Sequence, residues 1–150
     1  MIIKIKGRPF RQDYYEAVVR VTCHGIKERD ISCIKVMAEF ILNQDIVKEG
    51  DILIPAPQRE GYAIYTRTVS EIIAHETGAV LDDILYSDRR RTLYELKYEK
   101  RHASLQFRLR KMPDNGRLLF VDNVIDTGLT YRVAEQTLQK KLIPLVYAWS

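Results

Sequence analysis

The run Leu118-Leu119-Phe120-Val121-Asp122-Asn123-Val124-Ile125-Asp126-Thr127-Gly128-Leu129-Thr130 opens with four consecutive apolar residues and closes on hydroxyls, an acid and a glycine. A short continuous apolar run without alternation reads as a strand buried on both faces, the kind found in parallel sheets. It leads directly into a helix start, because Val133 with Thr137 and Ala134 with Leu138 recur at helical spacing. Ligands of parallel sheets collect beyond the carboxyl ends of the strands, so the turn after Val121 is where a site belongs. There Asp126-Thr127-Gly128-Leu129-Thr130 offers backbone N–H groups at a helix start, two hydroxyls, and a glycine that lets the backbone approach closely. That is the chemistry of a phosphate cradle. Asp122, just before it, can accept hydrogen bonds from the vicinal hydroxyls of a sugar carried by the phosphate. The same residues also have a plainer use: Asp122 can end a strand and Asp126 can cap the following helix.

Outward from this stretch the pattern repeats. Residues 52–55 form a second buried apolar run, and after it Tyr62, Tyr65, Val69, Ile72 and Ile73 share one helical face that ends at Gly78. Residues 79–86 read as another strand and 142–149 as a last one, with Pro144 acceptable near a strand beginning or on an edge. Ile34, Met37, Ala38 and Ile41 mark a helix capped by Asp30 or Ser32. The first thirty residues carry no pattern of this clarity. Strands alternating with helices imply an α/β fold, a mainly parallel twisted sheet flanked by helices and joined by right-handed crossovers. There is no internal repeat and no Gly/Ser linker.

The 150 residues fit one domain, and 46% apolar with 29% charged residues is the balance of a soluble globular chain. No apolar stretch is long enough to span a membrane or to serve as a secretory leader, so a cytoplasmic location without membrane contact is the expectation. Cys23 and Cys33 lack zinc-site spacing and read as reduced thiols, and His24, His75 and His102 are scattered without triad order. The net charge of +4 is concentrated in 87–115, where Arg89, Arg90, Arg91, Lys97, Lys100, Arg101, Arg108, Arg110 and Lys111 fall together. Such a run expects an anion, or is a solvated face. A nucleic-acid contact is possible but not favoured, since no helix-turn-helix pattern or aromatic RNA-binding motif is clear. No P-loop and no dinucleotide fingerprint exists.

The string LLFVDNVIDTGLT resembles the ribose-phosphate signature of type I phosphoribosyltransferases, with Asp122 matching the first acid, Val124 and Ile125 the apolar pair, and Asp126 to Thr130 the phosphate loop. Asn123 stands where that family usually has Asp; an amide can hydrogen-bond a hydroxyl but brings no negative charge to a cationic ribosyl transition state. Residues 51–57 with Gly61 and Tyr62 are similar to the strand and pyrophosphate loop of the competence-associated ComF group, although the four-cysteine zinc module of that group is absent. The resemblance covers residues 51–150, the transferase-like core, and leaves 1–50 as an N-terminal hood or helical segment packed on it.

What the resemblance implies is transfer of a phosphoribosyl group between pyrophosphate and a nitrogenous base, with 5-phosphoribosyl-1-pyrophosphate as ligand and Mg2+ escorting the pyrophosphate. Asp126, Thr127, Gly128, Leu129 and Thr130 would hold the 5′-phosphate; Asp122 and Asn123 the ribose. Asp126 and Asp122 are the candidate catalytic residues, Asp126 as general acid/base toward the base, and Asp122 would assist the metal through the ribose and pyrophosphate. Pro57, Gln58, Arg59, Glu60 and Gly61, with Arg91, Lys97, Lys100 and Arg101 from a basic loop, would contact pyrophosphate. A homodimer is expected, as family members often dimerise. The alternative is a non-catalytic ribose-phosphate sensor or accessory protein linked to DNA uptake, which the Asn123 departure favours.

Overall fold

A computed structural model describes residues 11–89 and 105–150 of the chain. The fold is α/β, with four parallel strands flanked by helices. The strand β1 (Ile52–Pro55) is buried along its whole length. It pairs in parallel with β2 (Val80–Leu81) on one side and with β5 (Leu118–Ile125) on the other, and β5 pairs with β6 (Ile143–Trp149). The sheet order is therefore β2-β1-β5-β6, with the two continuous apolar runs of the sequence side by side at its centre. Central strands are covered on both faces and need apolar residues at consecutive positions. Pro144 sits second in β6, the edge strand, where a missing N–H costs least.

Two expectations are corrected. The strand β5 does not turn after Val121; it runs on through Ile125, in register with β6 as far as Trp149. Asn123 and Ile125 are buried there and the ladder to β6 continues, so the turn begins at Asp126. The reading of 79–86 as one strand also fails. Val80–Leu81 joins the sheet, but Leu85–Tyr86 (β3) leaves it and pairs antiparallel with Arg108–Leu109 (β4). Between them Asp82 and Asp83 break the run: Asp82 closes a tight turn with Ile84 and reaches Lys111 at 3.4 Å, and Asp83 faces Arg67 at 3.0 Å.

The helices α1 (Ala17–Lys27), α2 (Ile31–Asn43) and α3 (Tyr65–Thr77) share one core cluster with the alternate residues Leu53, Leu119, Val121, Leu145 and Tyr147 of the sheet. The helix α4 (Leu129–Leu138) covers the other face, where Ala134 and Leu138 pack with Ile52, Ile54, Leu118 and Phe120. The helix α1 has no counterpart in the sequence reading. Val19, Cys23 and Ile26 are its buried stripe, but Val18 and Val21 are 78% and 70% exposed, so apolar residues fall on both sides and blur the period. Asp30 caps α2, its carboxylate accepting the Ser32 N–H at 2.9 Å. Gly78 ends α3 in the left-handed conformation, as the sequence implied; Tyr62 lies outside that helix and is exposed.

Gly25 brings α1 against α2: a Cβ there would stand 2.3 Å from Cys33 Sγ. At the amino edge of the sheet Asp51 and Arg117 tie the starts of β1 and β5 together through Nε–Oδ1 and Nη2–Oδ2 contacts of 3.0 and 2.5 Å. No helix among the described residues is long and apolar enough to cross a membrane.

Candidate functional site

At the carboxyl edge the two central strands release adjacent loops, one following Pro55 and one following Ile125. The first is welded to the neighbouring strand by Ala56 N–H donating to the Val121 carbonyl at 2.9 Å. The second is the Asp126–Thr130 turn. Gly128 adopts φ +81° and is the N-cap of α4, a backbone conformation that costs a residue with a Cβ. Thr127 Oγ1 accepts the Leu129 N–H at 3.3 Å, and the Gly128 carbonyl accepts the Arg132 N–H at 2.9 Å. First-turn N–H groups have no acceptor within their own helix and carry the positive end of its dipole. Asp126 and Thr127 are exposed, Leu129 and Thr130 half-buried. Asp126 Oδ1 accepts a hydrogen bond from Ser150 Oγ at 2.9 Å.

Two residues that the motif presents as neighbours take opposite faces of β5. Asp122 follows Phe120 in the alternation toward the α4 side, half-buried, with Oδ1 accepting the N–H of Asn123 at 2.8 Å. Asn123 turns toward α1. It is 1% exposed, its Nδ2 donates to the Cys23 carbonyl at 3.1 Å, and its Oδ1 has no hydrogen-bond partner among the described residues. Asp122 thus lies on the α4 side of the sheet and Asn123 beneath α1.

In the loop after β1 the side chain of Gln58 points inward. Its Nε2 donates to the Ala56 carbonyl at 2.6 Å and to Thr66 Oγ1 at 3.1 Å, and its Oε1 accepts the Ile64 N–H. Gln58 therefore shapes the turn from inside, with Pro57 buried beside it. Gly61 has φ +104°, and an added Cβ would lie 2.3 Å from the Ser87 carbonyl oxygen, which makes glycine obligatory at this contact. Arg59 is exposed and 3.7 Å from Glu60, which Arg29 also reaches at 3.4 Å. Arg91, Lys97, Lys100 and Arg101 lie outside the described residues. Of the remaining basic stretch, Arg108 meets Asp88 at 3.1 Å, Lys111 meets Asp82, and Arg110 stacks 5.2 Å from the Tyr86 ring centroid. Part of the positive charge that seemed to await an external anion is answered by the chain's own carboxylates.

One cation at the turn escaped the sequence reading. Arg132 Nη1 is 4.0 Å from where a Cβ on Gly128 would stand, so a guanidinium flanks the cradle from the first turn of α4. The signal was present, since residues four apart on a helix share a face, but only the turn's conformation shows which residue it meets. Among the described residues no group of three or more His, Cys, Asp or Glu could hold a metal. Burial pushes the Cys23 thiol up to about 11 against a smaller opposing effect of Lys27, which keeps it protonated and unreactive. An open depression of about 370 Å³ along Glu135, Gln136, Gln139, Lys140 and Lys141 lies at the far end of α4 from the turn and contains none of these groups.

No protein-family profile, curated protein or solved structure matches this chain.

Proposed function

We propose that the chain is a type I phosphoribosyltransferase-like protein that binds 5-phosphoribosyl-1-pyrophosphate and moves the phosphoribosyl group between pyrophosphate and a nitrogenous base. One observation carries the reading: a left-handed Gly128 at the exit of a central parallel strand sets a helix start, two threonines and Arg132 around one exposed turn. A dianionic phosphate suits that set, because N–H dipoles, hydroxyls and a guanidinium all favour negative charge and a missing Cβ gives it room.

In this reading Thr127, Gly128, Leu129 and Thr130 hold the 5′-phosphate and Asp122 the ribose hydroxyls. Asp126, exposed and anchored by Ser150, exchanges a proton with the leaving or entering base. Holding the sugar phosphate rigidly is itself the larger part of catalysis, since it turns an encounter into a positioned displacement. Magnesium accompanies the pyrophosphate and neutralises its charge. A single partly buried carboxylate, Asp122, suits an ion held mostly by substrate oxygens better than a dedicated protein cage.

The test is calorimetric titration with 5-phosphoribosyl-1-pyrophosphate and with ribose 5-phosphate, on the wild type and on Thr127→Val with Thr130→Val. Binding should weaken by about tenfold or more in the double variant, the loss of two hydrogen bonds to a charged group. Absence of heat from the wild type with both ligands ends the proposal.

A second reading, a sensor or accessory protein without turnover, is favoured by Asn123. The position that carries a second acid in the family is here occupied by an amide committed to the Cys23 carbonyl. Ligand binding without pyrophosphate release on a panel of purine, pyrimidine and pyridine bases would select this reading.

A further inference from the structure

The helix α1 crosses the carboxyl half of the sheet from β6 to β1, and three contacts fix its course. Just ahead of it Tyr14 N–H donates to the Trp149 carbonyl of β6 at 2.9 Å. Within it the Cys23 carbonyl accepts from Asn123 of β5, and just past its end Arg29 reaches Glu60 in the loop after β1. The turn between α1 and α2 therefore meets the loop that would contact pyrophosphate. Two guanidiniums converge there on one carboxylate oxygen: Arg29 Nη2 is 3.4 Å and Arg59 Nε 3.7 Å from Glu60 Oε1. The arginine side chains are 54% and 57% exposed, so both remain open to a ligand. Arg29 holds φ +64°, a left-handed conformation that is costly for a residue with a Cβ and that glycine takes freely. A long cationic side chain thus stands where the backbone by itself favours none. Under Glu60 the loop is pinned: Gln58 N–H donates to the Tyr62 carbonyl at 3.0 Å, Gly61 N–H to the Gln58 carbonyl at 2.9 Å, and Ser87 N–H to the Gly61 carbonyl at 2.8 Å. Glu60 can swing away by side-chain rotation alone.

We propose that Arg29 and Arg59 are the two arms of a clamp for the ligand's diphosphate, and that Glu60 is its resident counter-ion, which the diphosphate displaces. This rests on the phosphoribosyl reading and adds to it a residue from the N-terminal helices and a built-in competitor. A guanidinium carries several N–H donors, and each arginine turns only one nitrogen to Glu60, which leaves the rest of both forks to water. An exposed ion pair of this length is worth little, because solvent competes for both partners. Phosphate oxygens accept paired N–H bonds from a guanidinium and bring more than one negative charge, so the exchange favours the diphosphate. In the empty protein Glu60 keeps the two like charges from repelling each other; on binding, its removal subtracts from the affinity. Arg29 lies thirty-one positions before Glu60, so the clamp exists only while α1 and α2 are docked on the sheet.

The full chain is titrated calorimetrically, at one fixed magnesium concentration, with 5-phosphoribosyl-1-pyrophosphate and with ribose 5-phosphate, which lacks the diphosphate. Arg29→Gly removes the guanidinium and suits the positive φ, so its urea midpoint should equal or exceed that of the wild type. It should weaken 5-phosphoribosyl-1-pyrophosphate by about tenfold, the worth of one hydrogen-bonded charged contact, and leave ribose 5-phosphate unchanged. Glu60→Gln keeps the side chain's shape and removes the competing charge. It should tighten 5-phosphoribosyl-1-pyrophosphate severalfold, again with ribose 5-phosphate unchanged. A tie that merely docks the helices on the loop predicts otherwise: a lower midpoint in both variants, and equal losses for the two ligands or none. That result overturns the clamp and leaves the cradle standing. Weaker binding of 5-phosphoribosyl-1-pyrophosphate by Glu60→Gln overturns it as well, by making Glu60 a ligand contact instead of a competitor. Heat from neither ligand with the wild type removes the phosphoribosyl reading, and the clamp with it.

Discussion

Asn123 shows how much a single side chain depends on the face it takes. In the sequence it reads as a weakened acid at a sugar site; in the fold it is a donor to the Cys23 carbonyl, one hundred positions away. Asp at that position would lose the donor and bury a charge without a partner. Asn123→Asp should therefore destabilise the protein by about 3 kcal/mol in urea unfolding. An unchanged midpoint would mean that the side chain can swing out to the ligand edge. The two glycines of the edge loops make a matched pair. Gly128→Ala meets only Arg132 Nη1, at an ordinary contact distance of 4.0 Å, so its cost is that of the left-handed backbone, about 1–2 kcal/mol. Gly61→Ala has the same backbone problem and, in addition, a carbonyl oxygen 2.3 Å from the new carbon. The second variant should be the less stable by a clear margin in thermal unfolding, while the first should lose ribose 5-phosphate affinity; the reverse order of stabilities would contradict these loop conformations.

Between elements, the Asp51–Arg117 pair clamps the amino ends of the two central strands. Burial by itself works to raise the Asp51 pKa, but the Arg117 hydrogen bonds, the Lys48 N–H and the positive charge of Arg117 outweigh it, and the carboxyl is held below its ordinary value. A carboxyl with a depressed folded pKa contributes stability that is present above its unfolded value, about 3.9, and is lost as pH falls through the lower folded value. Arg117→Met should accordingly cost about 1–2 kcal/mol at neutral pH, a figure reduced for solvent screening because the guanidinium is 43% exposed. The deficit should shrink below about pH 4. It should not vanish, since Arg117 also donates to the Ile46 carbonyl at 2.6 Å. A pH-independent gap in chemical denaturation would show that the ion pair contributes nothing. The α1–α2 contact has its own test. Gly25→Ala drives a methyl into Cys33 Sγ, so Gly25→Ala alone should destabilise by about 1–3 kcal/mol, and pairing it with Cys33→Ala should recover much of the loss.

At the scale of the whole molecule, a ligand that binds only the folded state raises its stability by mass action. Ribose 5-phosphate at one hundred times its dissociation constant should add about 2.7 kcal/mol, or roughly 5–11 °C in Tm for a domain of this size. The shift should fall to about half or less in the Thr127→Val, Thr130→Val double variant at the same ligand concentration. A wild-type Tm that does not respond to the sugar phosphate would separate the cradle's shape from any function in binding. Sheet topology is what makes this linkage plausible in physical terms: the turn hangs from β5, which is paired on both sides, so ordering the loop leans on the most supported strand of the sheet.

Local chemistry was legible without coordinates wherever its cause lies within a few residues. The apolar runs at 52–55 and 118–121, the helix closed by Gly78, a cap at Asp30 or Ser32 and a turn at Gly128 all follow from periodicity, propensity and the room a missing Cβ leaves; that Asp30 is the cap and that Gly128 takes a positive φ came from the structure. The helix α1 was not legible, because its buried stripe is set by what α2 and β6 leave room for, while Val18 and Val21 face outward. The two strands that 79–86 became, the inward turn of Gln58, the burial of Asn123, and the arrival of Arg132 and Arg29 beside the carboxyl edge belong to the tertiary structure alone. A polar side chain goes where a partner is, and these partners lie on elements far along the chain. The residue types at the edge were a property of the sequence; which of them face the same space was decided by packing.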